Sequence, residues 1–91
     1  MDDDWTDLVT HEMLARRVTL DDYFAPSMDL VRKGHVAEAT INRNRAKLEA
    51  LAQVGDEWWE WVMGTEPLMQ MGGLALVRAG RVVWARNTWI S

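Results

Sequence analysis

The residues best suited to chemistry are few and scattered. His11-Glu12 supplies the first two letters of a zinc-protease HExxH helix, but the fifth position is Ala15. Such a site needs two imidazoles one turn apart on one helical face, and here only one is present. His35 is the other histidine and there is no cysteine, so zinc would need both histidines and borrowed carboxylates. Asp21, Asp22 and Asp29 have the chemistry of a magnesium or glycosidase pair. Their spacing requires neither, because acids at helix starts already complement the helix dipole. The nucleophile elbow GxSxG, the phosphate loop GxxxxGK[ST] and GxGxxG are all missing. The expectation is a protein that is not an enzyme and carries no cofactor and no metal.

Binding is the remaining class, and two kinds of partner compete. The stretch "INRNRAK" sets Arg43 and Lys47 one helical turn apart with Arg45 between them, downstream of Arg32 and Lys33. A basic patch beside aromatic rings can hold nucleic acid by phosphate contacts and base stacking. Against that stand the net charge of −4 and the four acids of residues 55–66, around the tryptophans of "GDEWWEWVMG". Phosphate is repelled by such a surface. Nucleic acid, held by Arg43, Arg45 and Lys47, is therefore the alternative.

A protein partner is the first expectation. Trp, Met and Arg are enriched at interface centres, and the chain has six Trp and six Met in 91 residues. The competing explanation is that a minimal domain fills its few core positions with large side chains. A chain this short buries only about 60–65% of its unfolded surface, so its core must be rich or shared. The residues expected to touch a partner are Trp59, Trp61, Arg81, Val83 and Trp89. The partner's identity is not legible: inhibitor, adaptor, bacterial or phage-like antagonist and complex subunit all fit.

The elements that would position these residues follow from periodicity. "MDDDW" lacks the basic and apolar regions of a signal peptide, and no apolar run approaches the roughly 18 residues of a membrane span. The expectation is a single cytoplasmic domain that does not enter a membrane. Residues 5–17 have helical spacing at Leu8, Val9, Met13 and Leu14. Thr19, with Asp22 three residues on, reads as the N-cap of a short helix that Pro26 should interrupt. Gly34 should end its continuation. From about 36 to 63 runs the longest periodic segment. Its apolar stripe joins Ala37, Ile41, Leu48, Leu51, Val54, Trp58 and Val62, with a bend possible at Gly55. On that helical wheel Trp58 is core, Trp59 lies about 55° to one side, and Trp61 about 105° to the other. Trp61 therefore reads as the partner-facing ring.

Residues 68–90 change to β-formers around "RAG" and read as an antiparallel hairpin, about 68–78 and 81–90. A three-residue loop, Arg78-Ala79-Gly80, spares Ala79 a positive φ. It aligns Val77 with Arg81, Leu76 with Val82 and Leu74 with Trp84, and farther out Met69 with Trp89 and Leu68 with Ile90. Gly72 and Gly73 should weaken the first strand or form a bulge. "ALVRAGRVVWAR" is similar to the terminal hairpins of sensory and binding domains such as PAS domains, a likeness that implies the hairpin alone. A lone ribbon is marginal. The long helix is expected to cover one face, and a second copy the other face or the open edge. The reading is an α+β homodimer acting as a small non-catalytic interaction or regulatory module.

Overall fold

The computed structural model describes residues 5–64 and 70–90. The fold is α+β, with two helices and a four-stranded antiparallel sheet. Chain order is a 3-10 turn (His11–Met13), β1 (Leu14–Val18), α1 (Leu20–Arg32), α2 (Glu38–Leu51), β2 (Glu57–Met63), β3 (Met71–Arg78) and β4 (Arg81–Ile90). Two compact units emerge: residues 19–54 hold both helices, and residues 1–18 with 55–91 hold the sheet.

In the helical unit, α1 starts where its capping residue predicts. The Asp22 amide donates to Thr19 Oγ1 at 3.1 Å, satisfying one of the orphan donors of the first turn. Pro26 does not break this helix; it sits exposed inside it, at a cost near 3 kcal/mol for a helix interior. The far end closes on Gly34 at φ 80. The His35 amide donates to the Leu30 carbonyl at 2.9 Å and the Gly34 amide to Val31 at 3.0 Å, the paired bonds of a Schellman cap. On α2, Ile41 and Leu48 are buried, whereas Leu51 at its end and Val54 beyond it are exposed.

The long helix expected to run to residue 63 ends at Leu51. Gly55 adopts φ 90, and residues 57–63 form β2 instead. The apolar period misled for a definite reason: β2 buries Trp58 and Trp61, three positions apart, as a helix would. In a strand an odd spacing puts them on opposite faces, and this inner strand buries one tryptophan on each. Trp and Val prefer such a pleated setting. Residues 5–17 are likewise not a helix. They make a turn, the 3-10 turn and most of the edge strand β1.

The sheet order is β1-β2-β3-β4. Every residue of β3 from Gly72 to Val77 is buried, as expected of an inner strand. The hairpin exists, with strands 71–78 and 81–90, but its loop is Ala79-Gly80. Ala79 takes φ 53 and Gly80 φ 78, which suits a two-residue turn that matches the twist of the strands. Arg78 faces Arg81 and Val77 faces Val82, and a bulge at Val83 then sets Leu76 opposite Trp84 and Leu74 opposite Arg86, where Leu76–Val82 and Leu74–Trp84 were expected. The expected three-residue loop thus avoided strain that the chain accepts at Ala79, and Val82 moves to the opposite face. The outer register is also shifted: Gly72 faces Trp89 and Met71 faces Ile90. Leu68 and Met69, the expected partners there, lie outside the described residues. A second bulge falls opposite Gly72-Gly73, with Thr88 of β4 as its extra residue, so it lies on the partner of the strand where it was expected.

From the register, one face carries Val18, Trp58, Leu76 and Trp84 in a row, then Arg16, Glu60, Leu74 and Arg86. Trp58 and Trp84 meet edge to face over Leu76, with ring centroids 6.0 Å apart. The other face carries Arg17, Trp59, Ala75 and Ala85, then Leu14, Trp61, Gly73 and Asn87. Here each large ring on β2 lies beside small residues on β3 and β4, so volumes complement across strands. That face is covered from within the chain. Residues 5–13 cross it as a strap: Val9 is buried in a cluster with Trp61, Ala75 and Ala85, and Trp5 packs against them. No second copy is needed for this.

Candidate interaction edge

β4 is the edge at one side of the sheet, and three of the exposed large apolar residues, Val83, Trp89 and Ile90, lie on it. Val83 is the extra residue of the turn-proximal bulge and stands exposed. Trp89 and Ile90 end the strand at 41% and 71% exposure. Large apolar side chains on an edge strand are the usual substrate for strand addition.

Two glycines shape this edge. A Cβ on Gly73 would collide with the Arg86 carbonyl oxygen. That oxygen fills the space the missing side chain leaves, and there it accepts a hydrogen bond from Trp61 Nε1 at 3.2 Å. The indole can reach β4 only because β3 presents no side chain between them. A Cβ on Gly72 would strike the Trp89 indole and the Trp61 carbonyl. Gly72 is thus the seat on which the Trp89 ring lies. Asn87 completes the bulge, its Nδ2 donating to the Gly72 and Trp89 carbonyls, each at 3.2 Å. Trp89 is therefore held in place as well as exposed.

The middle of the edge is occupied by the strap. The Trp5 amide donates to the Ala85 carbonyl at 2.9 Å. The Ala85 amide donates to Thr6 Oγ1 at 3.2 Å, so both outward backbone groups of Ala85 are satisfied. The Trp5 ring lies 5.9 Å from that of Trp61, tilted by 32°. Two hydrogen bonds and one ring thus block the edge where it would otherwise pair.

At the turn end, Asp56 anchors the start of β2 to the hairpin. Its carboxylate is nearly buried and accepts from Arg78 Nε at 2.9 Å and Nη2 at 2.8 Å. That two-pronged bond pushes the Arg78 guanidinium further up from its ordinary value. Beside it, Trp59 Nε1 donates to Glu57 at 3.0 Å and Arg17 approaches Glu57 at 3.5 Å.

The expected contact residues therefore divide. Val83, Trp89 and Arg81 are exposed on β4. Trp59 is half-buried on β2 and hydrogen-bonded. Trp61 has 0% exposure: it is core, because a strand, unlike the expected helix, turns it beneath the strap. The basic set also divides. Arg45 binds Asp21 at 2.6 Å and lies 3.8 Å from Glu49, so its charge is spent within the helical unit. Arg43 and Lys47 are exposed on α2.

Of the acids weighed for catalysis, Asp21 binds Arg45, and Asp29 pairs with Arg32 one turn on. Among the described residues no group of three or more His, Cys, Asp or Glu side chains could hold a metal. None of the described helices is long and apolar enough to cross a membrane. Sequence reasoning missed Trp5, Thr6 and Asn87. The signal available was a lone Trp and Thr among acids, "DDDWTD", ahead of an apolar pair. Compared with known protein families, curated proteins and solved structures, the chain gives no match.

Proposed function

We propose that the chain is a small non-catalytic protein-interaction or regulatory module that binds a protein partner and associates with itself through the outer edge of β4. The observation that carries this reading is the exposed end of that edge, Trp89 and Ile90, with Val83 exposed on the bulge farther up the strand. A rigid aromatic ring seated on Gly72 resembles an interface anchor, since it loses little entropy on contact. Arg81 and Arg86 give the edge a positive rim and no acid lies on β4, which favours an acidic partner surface. Inhibitor, adaptor and complex subunit are the roles such an edge serves.

Sedimentation of the purified chain across micromolar concentrations tests self-association. Ile90→Asp, at an exposed position, should weaken dimerisation by about tenfold or more while leaving the thermal melt in place. A wild-type chain that sediments as monomer at every concentration would remove the self-association half of this reading. Recovery of one acidic protein in stoichiometric yield, lost in Ile90→Asp, supports the partner half.

A further inference from the structure

The segment seated on the β4 edge shows what that edge accepts. Its occupant has one aromatic ring that stacks on Trp61, one amide that donates to Ala85, and one hydroxyl that accepts from Ala85. In sequence it is flanked by Asp2, Asp3, Asp4 and Asp7, whereas β4 carries Arg81 and Arg86 and no acid. By the register Arg81 and Arg86 lie on the face opposite the strap, so it is ring and backbone complementarity that fit the Trp5-Thr6 pair.

The connection to β1 is suited to opening. The turn His11–Met13 has no fully buried residue. It is held by the Met13 amide donating to the Thr10 carbonyl at 3.0 Å and by Thr10 bonding the Glu12 carboxylate, with Met13 half-buried against the core cluster. Opening breaks these few contacts. Thr10 is already extended, at ψ 167. Straightening three residues there would carry the strap away from its own sheet as a continuation of β1. Exchange between identical chains preserves every strap contact, so only the hinge and the loss of free motion separate the two forms. The tethered strap competes at an effective concentration on the order of millimolar.

From this we infer that the β4 edge is an exchangeable dock for residues 5–9, and that its occupant in the self-associated form is the strap of a second copy, donated reciprocally. The inference rests on the self-association reading above and supplies its mechanism. Trp5 of each copy would lie on Trp61 of the other.

Because the chain has no cysteine, single-cysteine variants give a direct test. Thr6→Cys and Ala85→Cys are mixed at high concentration, incubated and oxidised. A disulfide between the two different chains, with a dimer in sedimentation, is the expected result. A dimer without that disulfide overturns exchange and leaves self-association by another surface standing. Monomer throughout overturns both.

A second measurement guards against misfolding of Ala85→Cys. A fluorescein-labelled peptide of residues 1–9 is titrated against the full-length Thr6→Val variant, whose own strap lacks the hydroxyl acceptor. Its anisotropy should rise at concentrations about tenfold lower than with wild type. The same peptide carrying Trp5→Ala should not bind. No rise with a folded variant overturns the dock. Peptide capture by a chain that never dimerises overturns the second copy as occupant and assigns the edge to another protein's Trp-bearing strand.

Discussion

The two faces of the sheet solve the same burial problem in different ways. One interdigitates large groups on alternate strands, Trp58 and Trp84 leaning together over Leu76. The other sets a giant beside dwarfs: Trp61 spans Gly73 to reach a β4 carbonyl, with Ala75 and Ala85 beneath the strap. In the first arrangement a lost methyl group leaves neighbours that can shift. In the second, the ring, the glycine and the carbonyl fix one another, and no atom can be added. The lesson is that tolerance to substitution depends on how a core is built as much as on how deeply it lies.

The sharpest way to break this comparison is to remove a ring from each face. Trp61→Ala should cost about 3–5 kcal/mol on the large-to-small scale, most of what a domain this size has to spare. It also abandons the Arg86 carbonyl. Trp58→Ala, on the more forgiving face, should fall toward the low end of that range. Urea denaturation followed by circular dichroism ranks them, and equal losses would erase the distinction between the faces.

A gentler test adds an atom. Gly73→Ala should destabilise by about 1–3 kcal/mol, the usual cost of overpacking, because its Cβ would meet backbone, which cannot rotate away. Leu74→Met on the interdigitating face conserves volume and should cost less than about 1.5 kcal/mol. Thermal melts of the pair distinguish the two constructions.

The smallest expected effect concerns pH and acts only on the strap. Glu12 is held below its usual value of 4.5 by its own backbone amide first, and then by Thr10 and His11. A depressed carboxylate contributes stability above its unfolded value, and that contribution is lost as pH falls through the lower folded value. Glu12→Gln should therefore lose slightly less stability than wild type on acidification below pH 4.5. Parallel acid titrations would show a shallower limb for the variant. An unchanged limb would mean that the strap's turn contributes nothing at low pH.

What the sequence revealed follows from whether a local cause was sufficient. Thr19 and Gly34 marked the ends of their helix because caps are read within a few residues. The β-formers around Ala79-Gly80 marked a hairpin, although its loop length depended on a bulge at Val83 that no local rule announces. The stretch 57–63 defeated periodicity because an inner strand buries both faces, and tryptophans at an odd spacing then imitate a helix. For the candidate edge, Val83, Trp89 and Arg81 were legible as residues of an exposed strand. Trp61 was misplaced with the helix it was assigned to. The strap was invisible, since its partner Ala85 lies 79 positions from Thr6 and nothing local encodes that meeting.

The order of the strands carries a kinetic consequence. β2, β3 and β4 follow one another in the chain and pair as neighbours, whereas β1 joins β2 across the whole helical segment, residues 19–54. Loop closure grows costlier with length and non-local pairing slows folding. The three-stranded meander can therefore assemble first, with Trp61 bare on its surface until β1 and the strap arrive. Until then the Trp61 ring, fully buried in the finished fold, would lack the cover that the strap provides.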